Sequence, residues 1–190
     1  MKKLIENYIK ESIAAKEGLL KSQVVNIESA AKAVIDAFKA GKKLLVFGNG
    51  GSAADSQHIA AELVGRFKME RKALPAIALT TDTSILTAIA NDYGYDVVFS
   101  RQVEALGVKG DVALGISTSG NSKNVIEALK KARSIGMKSI ALSGGDGGSV
   151  SKEADISIVA ATKDTPRVQE SHTLIAHIIC ALVEDEMFKK

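Results

Sequence analysis

Residues 44–62 read LLVFGNGGSAADSQHIAAE, and this stretch decides the fold. The apolar run at 44–47 predicts a buried strand, the glycines after it predict a turn, and the remainder predicts a helix. Strand, glycine turn and helix in this order form the ligand-binding unit of α/β proteins. Since His58 and Glu62 are four residues apart, a helix places their side chains on one face. Such a pair can bind a metal, move protons, or do both.

The rest of the chain repeats this alternation. Further strands are predicted at 76–80, 112–116, 139–142 and 156–160, and helices near 53–65, 84–91, 101–106, 122–135 and 165–187. Continuously apolar strands are typical of sheets covered on both faces, and right-handed crossovers join them in parallel. We therefore predict an α/β fold: a single doubly wound domain over 1–190 with a five-stranded parallel sheet flanked by helices.

Residues 1–40 predict a helical N-terminal extension, because their apolar residues recur at spacings of three and four. Gly18 marks the expected weak point of this helix, and Gly41 its end. Forty residues of helix exceed what one sheet face needs. We expect part of the extension to pack on another subunit; the alternative is that it docks on its own sheet.

Composition excludes several classes of protein. A formal charge of +3 and 4% aromatic residues offer little to hold phosphates or stack on bases, so we expect no nucleic-acid partner. Cys180 is the only cysteine, which fits a reducing compartment. Charged residues interrupt the N-terminal apolar residues, and the longest apolar stretch, 174–183, is far short of a membrane span. We therefore expect a cytoplasmic protein without membrane contact.

The glycine turn matches the dinucleotide-binding pattern only loosely. The acidic residue expected about 20 positions later, at the end of the second strand, is missing at that spacing. The chain also contains no phosphate-binding G-x-x-x-x-G-K-[ST] loop. The glycines therefore indicate close approach of the backbone to a smaller ligand, with Asn49 and Ser52 offering polar contacts.

A second turn, STSGNS at 117–122, crowds four hydroxyl groups where a strand gives way to a helix. The N–H groups and dipole of a helix start favour an anion, and hydroxyls add donors. No lysine or arginine lies within the turn, which is typical of a phosphomonoester held by neutral donors. The alternative is a helix start capped by serine.

The final helix adds further candidates. Gln169 and His177 are separated by a rise of about 12 Å, so their long side chains could just share one ion. His172 faces elsewhere and is interpreted as a surface or interface residue, and Cys180 as a small core residue. Asn91-Asp92 fits a helix end or a sugar-hydroxyl contact equally well, and Arg66 fits a phosphate partner or a solvated charge.

Taken in order, these motifs resemble the sugar isomerase (SIS) domain family over essentially the whole chain. The resemblance implies a homotetramer with active sites at subunit contacts and one zinc ion per subunit. The implied zinc ligands are His58, Glu62, Gln169 and His177. The implied phosphate contacts are Ser117, Thr118, Ser119 and Ser122. The residues implied around the rest of the substrate are Asn49, Gly50, Gly51, Ser52, Glu62, Arg66, Asn91, Asp92 and Gln169.

The resemblance also implies an activity. Within the family the chain is most similar to members that convert D-sedoheptulose 7-phosphate to D-glycero-D-manno-heptose 7-phosphate through an enediol. This is the first step of ADP/GDP-heptose synthesis for bacterial surface polysaccharide, with Glu62 as base and His177 as acid. One alternative is a non-catalytic tetramer that binds the replication initiator, a branch lacking these two acid–base residues. Another is an enzyme or sensor for a different sugar phosphate.

Overall fold

The computed structural model describes residues 1–189. The strands are β1 Leu44–Gly48, β2 Ala76–Ala78, β3 Val112–Ser117, β4 Lys138–Gly144 and β5 Ile156–Ala160. The helices are α1 Lys2–Ser22, α2 Val24–Lys39, α3 Gly51–Val64, α4 Thr83–Tyr93, α5 Val98–Leu106, α6 Lys123–Ser134, α7 Gly148–Glu153 and α8 Thr165–Phe188, with a 3-10 turn at Tyr95–Val97. All five predicted strands are present.

The strands form one parallel sheet in the order β2-β1-β3-β4-β5. The chain builds outward from β1 in one direction and from β3 in the other, so the topology switches between these two strands. Ligands of open α/β sheets bind at such a switch, outside the carboxyl ends of the strands. The glycine turn after β1 and the serine turn at 117–122 lie at this point. The predicted doubly wound parallel sheet is confirmed.

Helices cover both faces of the sheet. Every residue of β1 is buried, and its side chains alternate between two cores. Leu44 and Val46 pack in the core that includes residues of α2, α3 and α8. Leu45 and Phe47 pack in the core that includes residues of α5 and α6, where the Phe47 ring stacks on Phe99 at 5.5 Å between centroids. The helix carrying His58 and the helix after the serine turn therefore lie on opposite faces.

The N-terminal extension divides at Gln23 rather than at Gly18. The Gln23 side-chain oxygen accepts hydrogen bonds from the Asn26 amide at 3.0 Å and from the backbone N–H of Val159, in the edge strand β5, at 3.2 Å. This junction therefore docks on the sheet edge, and tertiary contact sets the break. Beyond it, α2 buries a full apolar face, whereas Leu19 is the one buried residue of α1 in the described chain.

The sequence missed two short elements, α7 and the 3-10 turn, because they are too short to show a periodic pattern. The N-cap of α8 is Asp164, one residue before the predicted Thr165, with Pro166 in the first turn where its missing N–H costs nothing. Among residues 1–189, no helix combines the length and apolar character that a membrane span needs.

Candidate active site

His58, Glu62 and His177 form one cluster between α3 and α8. Nε2 of His58 lies 2.9 Å from Nε2 of His177 and 3.4 Å from a carboxylate oxygen of Glu62. The three candidate ligand atoms all lie within 4.8 Å of one another. His58 is exposed, while Glu62 and His177 are half-buried. The predicted acid–base pair, Glu62 and His177, thus belongs to a group of three residues that could hold a metal ion.

The donor set of this cluster fits zinc. Two imidazole nitrogens and a carboxylate oxygen are ligands that zinc prefers. Two nitrogens bound about 2.0–2.1 Å from a tetrahedral zinc ion are about 3.3 Å apart. The 2.9 Å between the two rings is a hydrogen-bond distance, so binding would need the rings to separate by a few tenths of an ångström.

Gln169 lies against the glycine turn. A Cβ atom at Gly51 would overlap the Gln169 amide, so a larger residue there would displace this side chain. One helical turn later, the Thr173 hydroxyl donates to the Asp55 carboxylate at 3.2 Å, and next comes the His58–His177 contact. The two helices therefore run side by side in the same direction. The described contacts bring three of the four predicted zinc ligands together; Gln169 as the fourth stays a prediction.

The glycine turn is tied to the helix after the serine turn. The Asn49 and Asn124 amides exchange two hydrogen bonds of 2.9 Å, and the Tyr95 hydroxyl donates to the Asn49 oxygen at 3.3 Å. Sequence reasoning missed Asn124 and Tyr95. For Asn124 the sequence did contain a signal, because this polar residue stands next to the apolar positions of its helix. In the structure it is buried together with them.

In the serine turn, three hydroxyl groups converge at the start of α6. The Ser117 hydroxyl lies 2.9 Å from that of Ser122 and 3.5 Å from that of Ser119. Ser122 is the N-cap residue, yet within the described chain its side chain makes no capping hydrogen bond to the helix. The capped-helix alternative therefore does not account for this hydroxyl. Gly120 turns the chain with φ of +68°, which favours glycine.

Other predicted substrate contacts lie away from these groups. Asn91 and Asp92 are exposed on α4, where the amide of one donates to the carboxylate of the other at 2.8 Å. Arg66 is exposed beyond the end of α3, 3.6 Å from Glu70. The contacts within this chain favour neither reading of these three residues, and their role in binding stays a prediction.

The interpretation of His172 as a surface or interface residue was wrong. Its exposure is 1%, because it points into the core and its Nε2 lies 3.1 Å from the Ser143 carbonyl oxygen. Burial lowers its pKa to about 4, which keeps the ring neutral. Cys180 is buried, as expected for a core residue, and burial together with the nearby Glu62 charge raises its pKa to about 12.

Comparisons with known proteins identify the family of the chain. A family model described as SIS domain matches residues 7–144. The phosphoheptose isomerase of Citrifermentans bemidjiense is 65% identical over 164 residues, covering 86% of this chain and 85% of the relative. That of Clostridium acetobutylicum is 56% identical over 190 residues, covering 99% and 97%.

Solved structures of phosphoheptose isomerases are also similar to this chain. The structure of phosphoheptose isomerase GmhA from Neisseria gonorrhoeae superposes with a TM-score of 0.92 at 46% identity, covering 97% of this chain and 98% of that one. A phosphoheptose isomerase from Francisella tularensis gives a TM-score of 0.93 at 39% identity, covering 96% and 97%. With these matches in sequence and structure, the chain belongs to the SIS domain family.

Proposed function

We propose that this chain isomerises D-sedoheptulose 7-phosphate to D-glycero-D-manno-heptose 7-phosphate, the entry step of ADP/GDP-heptose synthesis for surface polysaccharide. The observation that carries the proposal is the joining of Glu62 and His177 in one cluster, from two helices and 115 positions of sequence apart. It occurs in a chain 56% identical over 190 residues to a protein named phosphoheptose isomerase.

The reaction moves a carbonyl group from C2 to C1 without net oxidation. A base must remove a proton from C1 to give an enediol, and a proton must return at C2. Glu62 suits the base, because its carboxylate is half-buried and reachable from solvent. His177 suits the transfer of protons at the two oxygens, since a neutral imidazole both accepts and donates.

The same residues would hold a metal ion. Zinc bound to His58, Glu62 and His177, with Gln169 as fourth ligand, would act as a Lewis acid on the substrate carbonyl. The four side chains carry one negative charge in total, so we expect moderate affinity. Glu62 serves in this proposal as both ligand and base, whereas His58 serves as ligand alone.

The length of α3 from the glycine turn to His58 is similar to the length of this substrate. From Gly51, at the start of α3, to His58 the helix rises about 10 Å. A seven-carbon chain with its phosphate spans roughly 10 Å at ordinary bond lengths. We place the phosphate at Ser117, Thr118, Ser119 and Ser122, and the carbonyl end at the cluster. Between them we place Asn49, Gly50, Gly51, Ser52 and Gln169, with Asn91, Asp92 and Arg66 as outer contacts.

We further propose a homotetramer in which neighbouring subunits cover the substrate site. The support is the apolar surface left by the N-terminal extension. Six large apolar side chains of α1 are more than half exposed: Leu4, Ile5, Tyr8, Ile9, Ile13 and Leu20. In the described chain α4, which carries Asn91 and Asp92, has no buried residue at all. A second copy of the chain would cover both helices and bring polar groups to the exposed His58.

A substrate panel tests the function. The protein is incubated with the 2-ketose phosphates of a pentose, a hexose and sedoheptulose, and aldose formation is followed. We expect conversion of the seven-carbon substrate alone. Preference for a shorter sugar would indicate the alternative enzyme of this family, and binding without conversion would indicate a sensor. A protein that neither binds nor converts any of them would support the adaptor alternative.

A further inference from the structure

Arg71 and Glu184 form an ion pair beneath the catalytic cluster. Nε of Arg71 lies 2.9 Å from the Glu184 carboxylate, and the two side chains are 1% and 2% exposed. Glu184 follows His177 by two turns of α8 and lies on the same face of that helix. Its carboxylate also accepts the backbone N–H groups of Phe67 and Lys68 at 2.8 Å and of Met69 at 3.0 Å. It therefore fixes the loop that follows α3.

Arg71 binds the last turn of α3, the helix that carries Glu62. Its guanidinium group donates to the backbone carbonyl of Glu62 at 2.8 Å and to that of Leu63 at 2.7 Å. Both carbonyls belong to the final turn, which has no partners within the helix. A positive charge there is also favourable to the helix dipole. Arg71 thus holds the backbone of the catalytic base directly.

The same loop reaches the catalytic acid through Phe67. The Phe67 ring lies 5.4 Å from the His177 ring between centroids, tilted by 36°. Because Glu184 binds the Phe67 N–H, the position of this ring depends on the carboxylate. One loop, fixed by one ion pair, therefore touches Glu62 through its carbonyl and His177 through its ring.

We propose that Arg71 and Glu184 are positioning residues that set the distance between Glu62 and His177. The proposal rests on the proposed function. Stability alone is a weak reason for such a pair, since apolar residues of similar volume often serve as well in a core. Apolar residues cannot bind the carbonyls of α3 and the N–H groups of the loop together. Displacing a catalytic group by about 1 Å costs on the order of 100-fold in rate.

Arg71→Lys tests the proposal. Lysine keeps the charge opposite Glu184 but lacks the planar fork that reaches two carbonyls at once. We expect a folded protein with kcat lowered by about 10- to 100-fold, and with KM changed by less than threefold. Equal changes in kcat and KM, or a kcat within twofold of wild type, would overturn the proposal.

Asp111→Asn is the matched control. Asp111 is 1% exposed and binds the Lys43 ammonium group at 2.6 Å, as well as the N–H groups of Lys43 and Val108. This pair lies at the amino-terminal edge of the sheet, opposite the glycine and serine turns. We expect Asp111→Asn to lower the melting temperature while leaving kcat unchanged. A similar loss of kcat in both variants would mean that general destabilisation is the cause.

A spectroscopic measurement separates this proposal from the proposed function. In histidine-labelled protein, the ring proton resonances of His177 should shift in Arg71→Lys and stay in place in Asp111→Asn, with buried His172 as internal reference. Glu184→Gln, which keeps the side-chain volume but loses the charge that binds Arg71 and the loop N–H groups, should shift them too and serves if Arg71→Lys does not fold. Unmoved His177 resonances would refute the positioning role even in a protein that proves to have no isomerase activity.

Discussion

At the scale of single residues, the surroundings of Glu62 are built for proton transfer. Its side-chain oxygen lies 3.4 Å from His58, and its backbone carbonyl is bound by buried Arg71 at 2.8 Å. The backbone is therefore fixed while the carboxylate stays within reach of a ligand. The two histidines beside its carboxylate, His58 and His177, are groups that could exchange protons or bind a metal.

Glu62→Gln should nearly abolish turnover while leaving the fold intact. Glutamine keeps the volume and hydrogen bonding of the side chain but cannot accept the C1 proton. We expect a fall in kcat on the order of 10²–10⁴-fold, the usual contribution of a general base. Steady-state kinetics measures the loss of turnover, and circular dichroism checks that the fold is intact. Activity within a few-fold of wild type would show that Glu62 is not the general base.

His172 should make the protein less stable as the pH falls from about 6.5 to about 4. The unfolded chain binds a proton at this ring near pH 6.5, whereas burial in the folded protein delays protonation to about pH 4. Between these values the unfolded state holds more protons, so acidification favours it. The contribution lost is up to about 3 kcal/mol, at about 1.4 kcal/mol per pH unit.

Urea unfolding curves at several pH values, for wild type and His172→Gln, measure this effect. Glutamine does not titrate but can still donate to the Ser143 carbonyl. We expect the difference in unfolding free energy between the two proteins to narrow as the pH falls through this window. Parallel curves would show that His172 does not contribute.

At the scale of elements, α3 and α8 create the cluster by lying alongside each other in the same direction. Gln169 meets Gly51, Thr173 meets Asp55 and His177 meets His58, each step about one helical turn further along. The sheet supports both helices through a shared core of buried residues. The cluster therefore depends on the packing of α3 and α8 against this shared core.

Removal of metal should abolish activity and spare the fold. Chelation followed by desalting should give inactive protein whose circular dichroism spectrum and melting curve stay close to those of the untreated protein, because the core is apolar. Added Zn²⁺ should restore turnover, and His58→Ala should lower the metal content found by elemental analysis. Full activity in protein shown to be metal-free would mean that the residues act as an acid–base cluster alone.

The serine turn should act on substrate binding and hardly on chemistry. Phosphate contacts far from C1 and C2 bind the ground state and the transition state alike, so Ser119→Ala/Ser122→Ala should raise KM with little change in kcat. Each hydrogen bond to the charged phosphate is worth about 1.5–3 kcal/mol. An unchanged KM in the double variant would reduce the turn to a structural feature.

At the scale of the whole molecule, α1 packs only partly on its own chain. The Ser12 hydroxyl donates to Glu170 at 2.6 Å, and the Arg167 guanidinium group binds the Tyr8 carbonyl. Around these contacts the same face of α1 leaves a row of large apolar residues more than half exposed. Docking on its own fold therefore leaves much of this helix uncovered, and the proposed homotetramer would use the apolar row as a contact surface.

Deleting residues 1–18 should dissociate the oligomer and lower activity together. A milder version is Ile9→Asp, which places a charge in the exposed apolar row, with Lys10→Asp on the adjoining polar side as the control. Light scattering should show smaller particles for the deletion and for Ile9→Asp, and unchanged ones for Lys10→Asp. A fully active tetramer lacking residues 1–18 would rule out this role for α1.

The sequence by itself determined the elements and the two turns. Local patterns predict all five strands, the long helices, and the hydroxyl-rich and glycine-rich turns. In strands and helices, burial on one or both faces makes apolar residues recur at the period of the element. Strand boundaries differ by at most two residues, and β5 was predicted without error. His58 and Glu62 were also paired correctly, since a helix fixes their relation within four positions.

Only the tertiary structure decided which distant residues meet. His58 and His177 are 119 positions apart, and Asn49 and Asn124 are 75 apart. Three other features left no periodic signal in the sequence: the burial of His172, the break at Gln23 and the ion pair of Arg71 with Glu184. Each of them depends on which helix packs against which. A local pattern records how far a residue is buried; the partner it is buried against is set by the packing of the whole chain.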